Sequence, residues 1–303
     1  MKILITDKLA DIGVQKFKEA GFEVVEDFET KGAALGEKLK GFDALIVRSG
    51  TQADATVINA SEGLKVIGRA GAGLDNVDQD AAKAKGITVL NSPEGNTVSA
   101  AEHTCAMLLA LCRKIPQAHI SLNEGRWDRK KFKGAEVCNK TLGVIGLGRI
   151  GLEVAKRMKC FEMKIIASDP FASDELFAEA GAEKVEFNDL IAQSDFISVH
   201  VPKNEKTINL IGAVQFKQMK DSARIVNVAR GGIVNEKDLV EALKNGEIAG
   251  AAIDVYEKEP IEYKEMIGLE NVVHTPHLGA STSEAQTRCG EQIAEKVIAE
   301  LKG

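Results

Sequence analysis

Two doubly wound α/β domains are predicted for this chain of 303 residues. Three observations predict them. Short runs rich in Val and Ile alternate with longer helical patterns from end to end, as in a parallel sheet covered on both faces. A glycine-rich turn, "GLGRIG" (146–151), stands between a strand pattern and a helix pattern. The chain also closes on a helix with no further strand after residue 277, which is expected to return to the first domain and make that domain discontinuous. A chain of this length exceeds the usual size of one hydrophobic core, which favours two.

In the first ninety residues the strand runs are "KILIT", "EVVED", "ALIVRS", "KVIGRA" and "ITVLNS". Between them lie helical stretches such as "LADIGVQKFKEAG", "DATVINA" and "VDQDAAKAKG". The strand runs are almost wholly apolar, as expected of strands buried on both faces. A long helical region, 96–125, follows, and Pro116 is expected to kink or divide it. The second strand series is "TLGVIG", "MKIIASD", "EKVEF", "FISVHVP", "RIVNVA", "AGAAIDV" and "NVVHTP". The expected division is therefore 1–94 with 278–303, a substrate-binding domain, and 95–277, a dinucleotide-binding domain.

Composition narrows the function classes. Hydrophobic residues at 44% and charged residues at 28% are ordinary for a globular protein, and aromatics at 5% leave a core of Ile, Val, Leu and Ala. A net charge of −6 argues against nucleic acid as a partner. The most apolar stretch, "TCAMLLALC" (104–112), is far shorter than the roughly 18 residues that span a bilayer, so no membrane is expected. Five cysteines without a Cys-x-x-Cys pair point to reduced thiols in a cytoplasmic protein, not to disulfides or zinc.

Gly146, Gly148 and Gly151 form G-x-G-x-x-G in the context the motif requires, a strand before it and a helix after it. The first glycine permits the tight turn, the second lets a pyrophosphate approach the backbone, and the third lets helix and strand pack closely. Asp169 ends the next strand and can accept from the adenosine ribose hydroxyls. No Lys or Arg follows it until Lys184, which favours NAD over a 2′-phosphorylated dinucleotide. A second glycine cluster, "GRAGAGLDN" (68–76), has Asn76 where a third glycine would fall. Its glycines are read as letting a substrate approach the backbone.

Three polar groups fall at predicted carboxyl ends of strands in the second domain, where open α/β sheets bind ligands. They are Arg230, Glu259 and His277. An arginine fork grips a carboxylate, a histidine carries a proton, and a neighbouring acid favours the imidazolium and fixes its tautomer. Beside a nicotinamide this set describes a 2-hydroxy acid dehydrogenase. Each residue also has a structural reading: a capping histidine, a solvated loop acid, an arginine paired with Asp254. "VVHTPHLGAST" (272–282) holds His274 and His277 on either side of Pro276, and a metal pair is set aside because no Asp, Glu or Cys stands nearby.

The stretches "GLGRIG", "NVARGGIVNEKDLVEAL", "GAAIDVYEKEP" and "TPHLGAST" together resemble the D-isomer-specific 2-hydroxyacid dehydrogenase family, and the resemblance runs through nearly the whole chain. It implies a flavodoxin-like first domain, a Rossmann second domain and NAD as cofactor. It also implies Arg230, Glu259 and His277 as the catalytic set, and assigns His274 no role. Cofactor contacts are implied at Ala72, Gly146, Gly148, Arg149, Ile150, Gly151, Asp169, His200, Val201, Pro202, Val228, Ala229, Asp254 and Gly279. Substrate contacts are implied at Arg48, Arg69, Gly71 and Arg230. Arginines beyond Arg230 suit a small phosphorylated 2-hydroxy acid, which carries two anionic groups.

"GRWDRKKF" (125–132) reads by itself as a solvated basic loop, whereas the resemblance implies an arm crossing to a second copy in a homodimer, with Trp127 as its buried anchor. Longer members carry carboxyl-terminal domains that include a serine-sensing module. The chain stops at Gly303, so no serine feedback through such a module is expected. Two other readings fit the motifs: a dehydrogenase for another 2-hydroxy acid such as glyoxylate, hydroxypyruvate or D-lactate, and a non-catalytic NAD-sensing corepressor-like dimer.

Overall fold

A computed structural model describes residues 1–303. The chain divides into two units, Met1–Ser99 with Ala280–Gly303, and Ala100–Gly279. Both are doubly wound and wholly parallel in their sheets, as the alternating runs predict.

The first unit contains strands β1 (Lys2–Ile5), β2 (Glu23–Glu26), β3 (Ala44–Val47), β4 (Val66–Arg69) and β5 (Thr88–Asn91). Their order is β2-β1-β3-β4-β5, the flavodoxin-like arrangement. Helices α1 (Asp11–Glu19), α2 (Gly32–Lys38), α3 (Ala55–Ala60) and α4 (Gln79–Ala84) connect them. Side chains alternate between two cores: Leu4, Leu45 and Ile67 lie on one side of the sheet, and Ile3, Ile5, Ile46 and Val66 on the other. With both faces covered, an alternating strand has no polar side to show, and this is why the runs read as continuously apolar. The sequence reading assigns no helix to 32–38, where two glycines, Gly32 and Gly36, stand in "KGAALGEKLK". Tertiary packing overrides that weak propensity, because Leu35 and Leu39 are fully buried.

The final helix (Ser283–Lys302) belongs to this first unit. It starts on a Thr282 side-chain cap and buries Ala285, Cys289, Ile293, Ala294 and Val297, spaced three and four apart. Two glycines let it approach closely. A methyl on Gly13 would lie 2.7 Å from the Gly290 carbonyl, and one on Gly68 would lie 2.8 Å from Val297.

Helix α5 (Thr97–Arg113), which enters the second unit at Ala100, leads into α6 (Ile115–Asn123). The predicted break falls at Lys114, which is left-handed at φ +52°, and Pro116 sits in the first turn of α6 where its missing N–H costs nothing. The strands are β6 (Thr141–Ile145), β7 (Lys164–Ser168), β8 (Glu183–Lys184), β9 (Phe196–Val199), β10 (Arg224–Asn227), β11 (Gly250–Ile253) and β12 (Val272–His274). The helices between them are α7 (Arg149–Lys159), α8 (Asp174–Ala180), α9 (Phe187–Gln193), α10 (Ala213–Gln218) and α11 (Glu236–Asn245). The order β12-β11-β10-β9-β6-β7-β8 is the Rossmann order with one further strand at the β11 edge. Strand order reverses between β6 and β9, and that switch point is where such sheets bind ligands. The expected strand "EKVEF" shrinks to two edge residues, and the expected strand "NVVHTP" ends at His274.

Candidate active site

The glycine turn follows β6 directly, at the switch point. Gly146 has φ +88°, and a methyl there would lie 2.9 Å from the His200 carbonyl and 2.8 Å from Val201. A methyl on Gly151 would lie 2.1 Å from the Gly146 carbonyl oxygen. Gly148, the N-cap of α7, faces open space. Two of the glycines are therefore demanded by backbone approach and one leaves room for a ligand. Beyond Gly148, the amides of Arg149, Ile150 and Gly151 open the helix with no intrahelical partner and its positive dipole end behind them. Asp169, at the end of β7, accepts the Leu147 amide on Oδ2 and the Phe171 amide on Oδ1, both at 2.8 Å. A carboxylate has about four lone pairs, so Asp169 still has acceptor capacity for hydroxyl groups. These residues fit a dinucleotide.

His200, Val201 and Pro202 follow β9. The His200 ring turns back to the Ser198 hydroxyl at 2.7 Å, and burial pushes its pKa down to about 4, so the ring is neutral at pH 7. What the segment presents to the glycine turn is the His200 backbone and the Val201 side chain.

The three polar residues of the second unit follow adjacent parallel strands, β10, β11 and β12. His277 Nδ1 lies 2.7 Å from Glu259 Oε2, and the other Glu259 oxygen accepts the Tyr256 amide at 3.1 Å. Burial raises the Glu259 pKa, but the His277 and Tyr256 hydrogen bonds outweigh it and hold the carboxyl below the usual range. An acid in that state keeps the Nδ1 proton of the imidazole and leaves Nε2 to exchange one. Arg230 follows β10 in a loop tied down by Asn227, whose side chain accepts the Ala229 amide at 3.0 Å and donates to the Arg230 carbonyl at 2.9 Å. Gly231 then lies against the next loop, for a methyl there would meet the Tyr256 carbonyl oxygen at 1.8 Å. This contact brings the arginine loop and the Glu259 loop together.

His274 has a different environment. It ends β12, its Nε2 lies 3.1 Å from the Met266 carbonyl oxygen, and its ring stacks on Tyr256. Burial lowers its pKa. Tyr256, Pro260, Ile261, Ile267, His274 and Pro276 line an apolar cavity of about 530 Å³ against the His277–Glu259 pair.

Val228, Asp254 and Gly279 meet beside the pair. A methyl on Gly279 would lie 2.9 Å from Val228 and 3.3 Å from Asp254 Oδ2. Asp254 is fully buried and accepts the amides of Leu278 and Gly279 at 2.7 and 2.9 Å.

In the first unit, Arg48 follows β3 and Arg69 ends the neighbouring strand β4. The Arg48 amide donates to Asp7 Oδ2 at 2.6 Å, and Asn76 Nδ2 donates to the Arg48 and Thr51 carbonyls, each at 2.6 Å. Gly71 makes room for the Arg69 guanidinium, since a methyl there would lie 1.7 Å from Nη1. The Ala72 carbonyl accepts from Asn91 at 2.6 Å.

Sequence reasoning missed the residues that hold these groups: Asp7, His103, Asn227, Glu236 and Thr275. Glu236 accepts the Glu257 amide at 2.6 Å, and burial holds its own carboxyl above the usual range. Asn227 had a signal, a buried amide inside the apolar run "RIVNVA". The others had none.

Residues 105–279 match the family described as D-isomer specific 2-hydroxyacid dehydrogenase, NAD binding domain. The chain belongs to that family. Among relatives, it is 49% identical over 304 residues to D-3-phosphoglycerate dehydrogenase of Archaeoglobus fulgidus, covering 100% of this chain and 58% of that protein. It is 48% identical over 302 residues to the human protein of the same name, covering 100% of this chain and 57% of the other. The chain thus spans somewhat more than half the length of these relatives. As a member of the 2-hydroxyacid dehydrogenase family it also shares its fold with apo D-lactate dehydrogenase of Escherichia coli, at a TM-score of 0.87 and 29% identity over 100% of this chain and 97% of that one. No helix of the structure is long and apolar enough to cross a membrane.

Proposed function

We propose that the protein oxidises 3-phospho-D-glycerate to 3-phosphohydroxypyruvate with NAD, the entry to phosphorylated serine biosynthesis. The observation that carries the reading is the 2.7 Å bond from His277 to Glu259 at the carboxyl end of a Rossmann sheet. Bound NAD supplies the hydride acceptor. His277 Nε2 takes the proton of the substrate hydroxyl, and the Glu259 carboxylate stabilises the imidazolium that results. Arg230 holds the substrate carboxylate through its guanidinium fork. Arg48, Arg69 and the Gly71 backbone bind the remaining anionic group. Identity near one half over the entire chain to proteins named D-3-phosphoglycerate dehydrogenase supports the choice of substrate.

The test is absorbance at the reduced-nicotinamide band with 3-phosphoglycerate and NAD, the ketone product being trapped. D-lactate is run beside it, because the shared fold with D-lactate dehydrogenase favours that acid as the second candidate. Turnover on neither acid overturns the reading. Arg69→Ala is expected to weaken the phosphorylated substrate by about 10- to 100-fold, the worth of a charge-assisted hydrogen bond, and to spare an unphosphorylated acid. Equal losses for both would remove the phosphate role.

We further propose that the protein is a cytoplasmic homodimer. None of its five cysteines is bridged, which suits a reducing compartment. Ile115, Ile120, Leu122 and Trp127 are exposed on and after α6, large apolar side chains of the kind that pairing with a second copy would cover. Sedimentation at micromolar concentration should give twice the chain mass of 32.5 kDa, and Trp127→Ala should reduce it towards one chain.

A further inference from the structure

The proposed mechanism leaves one polar constellation in the second unit unused. His103, on α5, places Nε2 3.1 Å from Thr275 Oγ1 and 3.3 Å from Asp254 Oδ1. Thr275 Oγ1 in turn lies 2.5 Å from the same Asp254 oxygen and 3.3 Å from the Met107 sulfur. A hydroxyl has one proton to give. The carboxylate is much the stronger acceptor, so that proton goes to Asp254, and Nε2 of His103 must carry its own to face both neighbours. The result is a directed chain, His103 N–H to Thr275 O–H to Asp254. Met107 stands one helical turn after His103 and is buried, which fixes the α5 face against the end of β12.

Asp254 passes this order to the catalytic turn. Its backbone carbonyl accepts the His277 amide at 2.8 Å, and its side chain accepts the next two amides, those of Leu278 and Gly279. Three consecutive N–H groups therefore end on one residue, the first on its carbonyl and the next two on its carboxylate. The turn needs such a hold. His277 has φ +55°, a left-handed conformation that a side chain with a Cβ rarely adopts. Burial alone would push the Asp254 carboxyl up, but hydrogen bonds from His103, Thr275, Leu278 and Gly279 outweigh it and keep the group ionised.

We infer that His103 is a positioning residue for the reaction: through Thr275 and Asp254 it holds the 277–279 turn, and so aims the His277 imidazole. It touches neither substrate nor reacting atoms. The inference about turnover rests on His277 being the proton carrier proposed above, whereas the inference about the turn does not.

The test uses the full chain and compares His103→Leu, which cannot donate, with His103→Gln, whose Nε2 reaches about as far as the imidazole Nε2. The first readout is amide hydrogen exchange in the ligand-free protein. His103→Leu is expected to speed exchange at Leu278 and Gly279 about tenfold, with the rest of the unit unchanged, the loss of one bond to a charged group being worth about that factor. The second readout is steady-state kinetics with 3-phosphoglycerate and NAD. There kcat should fall about tenfold with KM within twofold, and His103→Gln should recover most of both effects. Should His103→Leu fail to fold, Thr275→Val cuts the same chain at its middle and should loosen the same two amides.

Unchanged exchange at both amides in His103→Leu overturns the proposal. So does a loss that spreads over the whole unit and is not restored by glutamine, because that would make His103 a core residue only. A wild-type protein without turnover would overturn the proposed function instead, and the exchange readout would still decide the role of His103.

Discussion

Replacing His277 by alanine is expected to lower kcat by about 10²- to 10⁴-fold, the range that a positioned general acid–base supplies. NAD affinity should stay within about threefold, because the role proposed for the imidazole is proton transfer and it has no share in the glycine turn. Glu259→Gln separates the two functions of the pair. Glutamine keeps an acceptor for the Tyr256 amide but loses the charge that stabilises the imidazolium. It should therefore lower kcat without unfolding the loop, and to a smaller extent than His277→Ala. Calorimetric NAD titration beside initial rates checks both. If His277→Ala abolished NAD binding, the left-handed turn and not the proton would be what His277 supplies.

How far this arrangement was legible depends on the range over which each residue acts. The glycine turn was legible because its demands are local: Gly146 and Gly151 are five residues apart and answer to each other's backbone. His277 and Glu259 were legible as chemical types at strand ends, since strand order alone brings the ends of β11 and β12 together. The hold on His277 was not. Asp254 lies 151 residues from His103 and 21 from Thr275, and no local pattern marks a carboxylate as the acceptor for a turn. Nor does any sequence rule announce a histidine at φ +55°. His274 and His277 look equivalent on paper. They part because one is the last residue of a strand and turns to the Met266 carbonyl, while the other begins a turn and faces an acid.

The fold shows the same division. Alternating apolar runs specified two parallel sheets, for burial on both faces leaves a signal in every strand. The weak elements were those whose stability comes from tertiary contact. Helix α2 exists because Leu35 and Leu39 are buried, and β8 survives as two edge residues paired to β7.

Gly148 and Gly151 offer a test of what the glycine turn is for, because a side chain should fail at the two positions for different reasons. A methyl on Gly148 meets nothing within 4 Å, and its φ of −74° suits any residue. Gly148→Ala should therefore leave Tm within about 2 °C, yet weaken NAD about tenfold or more, since the methyl stands where an anion would approach the first amides of α7. Gly151 is the reverse case. Its added atom would lie 2.1 Å from the Gly146 carbonyl oxygen, and a backbone group cannot rotate aside, so α7 must retreat from β6. Gly151→Val should cost about 1–3 kcal/mol of stability through overpacking and weaken NAD roughly a hundredfold by withdrawing the helix end. Thermal unfolding and NAD titration of both variants distinguish the two mechanisms. A Gly148→Ala protein that bound NAD as tightly as the parent would mean that the pyrophosphate does not lie on this turn, whatever the fate of Gly151.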